Sequence, residues 1–409
     1  MRYHFNVISK VTVTLIRKEV LMMANYQFLN AYKFRSGVTL KNRIVIPPMT
    51  ETMSFHDGNV TQDEIDYFRI HTGGAGLFIT PVANVNALGK GFEGELSAAA
   101  DQFIPSLSRV AHAIHQNGTK AVLQIFSAGR MSNSQVLRGH QPVSASAIPA
   151  VRPGAETPRA LTGEEVEQTI ADFGSAVQRA IQAGFDGVEL HGANTYLLQQ
   201  FFSPHSNRRD DRWGGSLEKR MAFPLAVIQL AKQVIQKYAV KPFLLGYRLS
   251  PEEIEKPGIR IEDTLAFVKV LQQQQLDYLH VSMGNAWRTS LNDKSDSEPL
   301  IKKIQAAAGT DLPLISVGNL RTPAEVEKVM ATGIPLAALG QESLAEPHWV
   351  QKVMAGNEDQ IRYQISAADA PDLGIQLPFW NFLTNLTGSK DKVGSNRKQD
   401  AKHLDKLFS

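Results

Sequence analysis

Ala183-Gly184-Phe185-Asp186-Gly187-Val188-Glu189-Leu190-His191-Gly192-Ala193-Asn194-Thr195-Tyr196 is the stretch that decides the fold of this 409-residue chain. Upstream, Thr162-Gly163-Glu164-Glu165 is a capping box, and the apolar-periodic segment it opens closes near Ala183-Gly184. The continuous run Gly187–Leu190 follows at once. Unbroken apolar character, rather than alternation, is what a strand buried on both faces needs. His191, Asn194 and Tyr196 then cluster just past the run. Helix, tight turn, buried strand and polar strand end together describe one α/β unit.

Seven more runs of this kind occur: Arg43–Ile46, Gly76–Thr80, Ala121–Ile125, Phe243–Tyr247, Tyr278–Val281, Leu314–Val317 and Leu336–Leu339. Helical patterns separate most of them. Thr322-Pro323-Ala324-Glu325 carries a cap residue, Pro at the first helical position and Glu at the third. Ser216 is placed to cap Leu217–Tyr238, and the Gly333 region closes a helix before the last strand. Eight alternating units predict an α/β fold, a single (β/α)8 TIM barrel with its active site at the C-terminal ends of the strands. An open doubly wound sheet is the alternative, but no GxGxxG follows the first strand.

Composition narrows the function. Hydrophobic residues make up 43% of the chain and charged residues 20%, which suits a large folded core. There are no cysteines, which excludes disulfide scaffolds, Cys-ligated zinc, iron–sulfur clusters and thiol nucleophiles. A cytoplasmic location is expected, although a cysteine-free chain suits any compartment. The formal net charge of +3 sits at the ends: residues 1–24 and 388–409 each carry +3, leaving the body about −3. Neither nucleic acid nor membrane is an expected partner. Residues 25–387 are expected to form the barrel, and 388–409 a polar, basic, flexible tail with a helical turn near Asp400–Phe408. Residues 1–24 form an extension that is expected not to be translated in the cell ahead of a true start at Met22 or Met23. Arg17-Lys18-Glu19-Val20 can be encoded by a purine-rich ribosome-binding stretch, and Met22 and Met23 follow. A native peptide spanning Phe5 to Ile16 would contradict this start.

The strand ends hold the chemistry. Strands seven and eight lead into Gly318-Asn319 and Gly340-Gln341. Such glycines either make turns or let a phosphate approach backbone N–H groups. His191 and Asn194 can donate to one oxygen, and Tyr196 holds a phenolic proton. The trio suits chemistry beside a carbonyl, or it caps the next helix. Gln124 and Arg248 end otherwise apolar strands. They either meet the polar edge of a ring cofactor or enter an internal ion pair with Glu189.

These residues resemble the old yellow enzyme family of FMN-dependent oxidoreductases. The match runs from about Phe34 to Lys352. It is carried by Ala183 to Pro204 in order, then Asn207, Arg209, Asp211, Trp213-Gly214-Gly215-Ser216 and Arg220, by Leu40 to Thr50, and by Gly340 with Pro347-His348-Trp349. The resemblance implies non-covalent FMN at the barrel top. Thr50 would sit near flavin O4 and N5, with Pro48 and Met49 along the ring and the backbone of Val82 touching it. Gln124 would read the pyrimidine edge and Arg248 would face N1 and O2. Gly318, Asn319, Gly340 and Gln341 would surround the phosphate. His191 and Asn194 would hold the substrate oxygen, Phe126 would line the pocket, and Tyr196 would donate the proton.

The implied cycle is ping-pong: NADH or NADPH reduces FMN, then an α,β-unsaturated carbonyl takes hydride from N5 at Cβ and a proton from Tyr196 at Cα. The chain departs from the family at Gln341, where many members carry an arginine that reaches the phosphate; Arg321 is a candidate replacement. Thr50 stands where one branch has cysteine, so the Thr-type is expected, without an iron–sulfur motif. The Asn207–Ser216 stretch is expected to form structural loop-to-body ion pairs. An NAD(P)H oxidase or reductase acting on quinones, nitro compounds, nitrate esters or oxygen is the alternative function. A flavin-binding protein with little turnover and a flavin-free barrel lyase are further ones.

Overall fold

The computed structural model describes residues 26–388 and 392–394. Among them, eight parallel strands close into a barrel: β1 (Ile44–Ile46), β2 (Leu77–Asn84), β3 (Lys120–Phe126), β4 (Gly187–Gly192), β5 (Leu244–Leu249), β6 (Tyr278–Val281), β7 (Leu314–Val317) and β8 (Leu336–Ala338). Each pairs with its neighbours in sequence, and β1 pairs with both β2 and β8 to complete the ring. The expected TIM barrel is the fold found.

The local signals act as the sequence predicts. Thr162 caps Gly163–Gln182 with Glu165 in a full capping box, and Thr322 does the same for Pro323–Met330. Ser216 accepts from Lys219 N at the start of Leu217–Tyr238. Gly184 takes φ 91°, the left-handed turn that ends the third barrel helix. Asp186 then ties the foot of β4 to β3: its Oδ2 accepts from Ala121 N–H at 3.0 Å and meets His115 Nε2 at 2.6 Å. Burial raises the Asp186 carboxyl, but His115, the Ala121 N–H and Lys120 together outweigh this and hold it well below the usual carboxylate range.

The barrel floor is filled by side chains. Val45, Leu77, Val122, Leu244, Tyr278, Ile315 and Leu336 meet there, and Phe34, Val38 and Leu40 plug it from below. The plug comes from an antiparallel hairpin, Tyr32–Lys33 against Thr39–Leu40. Only the opposite end, where the strands finish, is left for chemistry.

The strands run further than their apolar residues. Ladder pairing carries β4 through His191 and β5 through Arg248, so that these two stand opposite each other in register. Within the expected tail, Lys392–Gly394 instead pairs antiparallel with Gln364–Ser366. The expectations for residues 1–24 and for Asp400–Phe408 lie outside the described residues.

Candidate active site

The end of β4 supplies two aimed donors. His191 is 2% exposed, and burial, reinforced by the charges of Arg248 and His280, holds its imidazole well below its ordinary value. The ring is therefore neutral at neutral pH. Its Nδ1 accepts the Ala193 N–H at 3.4 Å, which assigns the proton to Nε2. Asn194 and Thr195 follow at φ 55° and 64°, turning the chain sharply out of the strand. The Asn194 N–H donates to Ser250 Oγ at 2.9 Å. Ser282 Oγ donates to Asn194 Oδ1 at 2.9 Å, and Ser250 Oγ adds a longer bond of 3.4 Å. With its oxygen engaged from β5 and β6, the Asn194 amide has Nδ2 left to donate.

Tyr196 stands over this pair. Its ring meets His191 at 4.9 Å and Phe126 at 5.0 Å, both edge-on. Burial raises the phenol pKa, the charge of Glu95 adds to the rise, and Arg248 and Arg152 oppose it. The hydroxyl keeps its proton at any physiological pH. Val82, Phe126 and Ala128 form a small apolar patch with Phe92 and Tyr196 packed on it.

Beneath lies a charged row. Arg248 stands in register between His191 of β4 and His280 of β6. Glu189 does not form with it the ion pair that was the alternative to a cofactor role. Glu189 Oε1 accepts from Gln124 Nε2 at 2.6 Å, and Oε2 meets His280 Nδ1 at 3.0 Å. Burial pushes the Glu189 carboxyl up, but His280, Arg248 and Gln124 together bring it below its ordinary value. Arg248 is thus balanced through space while its own Nε, buried, takes no acceptor from the described residues. Gln124, its Nε2 committed, has Oε1 left to accept.

The glycine ends of β7 and β8 complete the mouth. Gly318 has φ 126°, and a Cβ there would stand 2.6 Å from Met283 O and 2.7 Å from Asn285 N, so no other residue fits. The Ala286 N–H donates to Gly318 O at 3.0 Å, which seats the Asn285–Trp287 loop beside β7. Gly340 adjoins β1: a Cβ would lie 3.5 Å from Pro47 Cγ and 3.9 Å from Met49 Sδ. Pro48, Met49 and Thr50 are half-buried on that strand end. Asn319 and Gln341 are brought together by Arg321, which donates to both.

Every expected site residue thus lies at the C-terminal end of the barrel. The Asn207–Ser216 stretch is tied to the body: Arg212 forms an ion pair with Glu167, and Arg209, paired inside the loop with Asp211, also donates from Nη1 to the carbonyls of Ala145 and Leu161. Ser250, Ser282 and His280 were not expected. Ser250 and Ser282 directly follow strand ends, which is the only signal the sequence offers for them, and His280 lies within β6.

A buried cation whose Nε has no hydrogen-bond acceptor among the described residues, an amide acceptor, an apolar wall and two glycine strand ends fit a flat, polar-edged, phosphate-bearing ring such as FMN. The fold and site define a flavin oxidoreductase of the barrel class. The chain matches the NADH:flavin oxidoreductase / NADH oxidase family over residues 31–360 and belongs to that family, whose cofactor is FMN with NADH or NADPH as reductant. It is 45% identical over 360 residues to the NADH:acrylate oxidoreductase of Vibrio harveyi, covering 87% of this chain and 36% of that protein. It is 43% identical over 364 residues to the NADH:fumarate oxidoreductase of Klebsiella pneumoniae (strain 342), covering 88% and 39%. The chain therefore spans little more than a third of these two relatives. It is 41% identical over 357 residues to YqiG of Bacillus subtilis (strain 168), a probable NADH-dependent flavin oxidoreductase, covering 87% and 95%. Among solved structures, morphinone reductase in complex with tetrahydroNAD superposes with TM-score 0.70 at 25% identity, covering 81% of this chain and 92% of that one.

Proposed function

We propose that this protein takes hydride from NAD(P)H and reduces the activated C=C bond of α,β-unsaturated carbonyl compounds by a ping-pong cycle. The observation that carries the reading is the end of β4, where His191 Nε2 and Asn194 Nδ2 are both fixed as donors beside a protonated Tyr196. FMN, when bound, supplies the hydride exchange. Gln124, Arg248, Thr50, Pro48, Met49 and Val82 would hold its ring, and Gly318, Asn319, Gly340 and Gln341 its phosphate end. His191 and Asn194 hold the carbonyl oxygen and stabilise the negative charge that grows there; one such donor is worth about 10²–10³ in rate. Tyr196 delivers its proton to Cα. Phe126 and Phe92 keep water from the reacting carbons. We place the enzyme in the cytoplasm; no helix among the described residues is long and apolar enough to cross a membrane.

The test is isotopic. NAD(P)H deuterated at the transferred position should label the product at Cβ, and deuterated solvent should label Cα. A product labelled by solvent at both carbons would contradict the reading.

The length of the relatives favours a second reading. Proteins named for acrylate and for fumarate share this same third of their chains. The shared part then oxidises NADH, and electrons leave for quinones, nitro compounds, nitrate esters or oxygen. Under that reading NAD(P)H is consumed without a labelled alkane.

A further inference from the structure

Thr195 has a left-handed backbone, φ 64°, immediately before Tyr196, and Asn194 before it is left-handed as well at φ 55°. Asparagine tolerates that conformation, but a β-branched residue rarely adopts it, so the surroundings must hold Thr195 there. Two consecutive glutamines do so. Gln199 Oε1 accepts the Thr195 N–H at 3.0 Å, and Gln200 Nε2 donates to the Thr195 carbonyl at 2.6 Å. Both side chains come from the short helix Leu197–Phe202, which opens directly after Tyr196. The clamp is itself anchored. Gln199 Nε2 donates to Glu253 Oε1 at 2.8 Å, and Glu253 Oε2 accepts from Ser203 Oγ and from the Ile259 N–H. Gln200 is 1% exposed and makes all four hydrogen bonds open to an amide side chain. Besides Thr195, its Nε2 reaches the Ala128 carbonyl at 3.0 Å, and its Oε1 accepts from the Arg130 N–H at 3.1 Å and Ser144 Oγ at 2.9 Å. Gly129, at φ 60°, passes so close to that oxygen that a Cβ would collide with it. One side chain thus joins the turn after β4 to the loop after β3, and these are the strands that bring His191 and Phe126 against the Tyr196 ring.

We propose that Gln199 and Gln200 are positioning residues for the proton donor: they hold Thr195 in its left-handed turn so that Tyr196 is aimed at the substrate carbon it protonates. Asn194 is held separately, by Ser250 and Ser282 directly after β5 and β6. The clamp therefore acts on the acid rather than on the donors to the substrate oxygen. The proposal rests on the alkene-reduction reading of the site and goes beyond it by naming the residues that orient its acid.

The experiment is a double-mutant cycle on the flavin-loaded enzyme, read by anaerobic stopped-flow. Flavin bleaching by NADH or NADPH and colour recovery with cyclohexenone are timed separately. Gln200→Met keeps the length of the side chain and removes its four hydrogen bonds. Recovery should slow by about 10–100-fold, the scale for misplacing a reacting group by about 1 Å, while bleaching changes by less than about threefold. In a Tyr196→Phe background the same change should slow recovery by less than about twofold more, because an acid that is gone cannot be misaimed. Gln199→Met should show the same pattern. Thr195→Gly, added to Gln200→Met, should regain part of the loss, because glycine takes φ 64° unaided. Should Gln200→Met fail to fold, Gln200→Glu carries the test. Its recovery rate relative to the unmodified enzyme should improve as pH falls, because only a protonated carboxyl donates to the Thr195 carbonyl. Equal slowing of bleaching and recovery, a full further loss in the Tyr196→Phe background, or unchanged recovery in Gln200→Met would overturn the proposal. An unmodified protein that bleaches but does not recover with cyclohexenone would instead overturn the alkene-reduction reading.

Discussion

Tyr196→Phe removes one oxygen atom and nothing else that the packing uses. The ring contacts to Phe126 at 5.0 Å and His191 at 4.9 Å are made by carbon, and phenylalanine keeps them. The phenol pKa is raised, first by burial, so its proton is present to be given. A positioned general acid contributes about 10²–10⁴ in rate. At ~1.36 kcal/mol per factor of ten, the barrier to alkene reduction should rise by about 3–5 kcal/mol. Reduction of the flavin by NAD(P)H needs no proton from this residue and should change by less than about threefold. Anaerobic stopped-flow separates the halves: flavin bleaching by NAD(P)H, then recovery of colour on mixing with an enone. A recovery rate within about threefold of the unmodified enzyme would refute Tyr196 as the acid and favour acceptors that need no proton. Equal losses in both halves would mean that the hydroxyl shapes the site rather than protonating the substrate.

Further outcomes follow from the same geometry. Ser282→Ala frees the Asn194 oxygen from its 2.9 Å bond, and with it the amide orientation; kcat/KM for an enone should fall about fivefold to tenfold, the effect of roughly one hydrogen bond. Unchanged kinetics would show that Ser282 does not position Asn194. Glu189→Gln removes a fully buried negative charge beside Gln124, His280 and Arg248. The midpoint potential of the bound flavin, measured by anaerobic dye equilibration, should rise, and a fall would contradict the placement of that charge. Stability should decline with rising pH. Burial pushes Glu64 up to about 8, with only the Ser54 hydrogen bond opposing, and Glu342 is likewise raised by burial. Native carboxyls that keep protons which the unfolded chain releases near 4.5 make the fold lose stability as pH climbs from there towards 8. Thermal melts between pH 5 and 8.5 should show the decline, and Glu64→Gln should flatten it. A midpoint that rises across that window would contradict the assignment.

The stretch Ala183 to Tyr196 was legible because its signals are local. The capping box, the left-handed Gly184 and the apolar run Gly187–Leu190 each act within a few residues. Strand ends were less legible. Apolar runs stop at Leu190 and Tyr247, yet the ladder continues, and it is this continuation that sets His191 against Arg248. The orientation of Asn194 depends on Ser250 and Ser282, which are 56 and 88 residues away. No local pattern marks a serine for such a role. His280 sits inside the apolar run Tyr278–Val281 and was read only as strand filling; its bond to Glu189 spans 91 residues. The same separation hid the partner of Glu189, where charge complementarity pointed to Arg248 but register and reach chose His280 and Gln124. The short pairing of Lys392–Gly394 with Gln364–Ser366 was invisible in a segment whose composition is polar.

The central claim is that the barrel mouth holds FMN, accepts hydride from a nicotinamide and passes it to an activated alkene. The most direct test is the visible spectrum of the purified protein, followed without air through addition of NADH or NADPH and then cyclohexenone. The account predicts a yellow protein that bleaches with the nicotinamide and regains its colour with the enone. A colourless protein that gains no flavin absorbance on addition of FMN would contradict it.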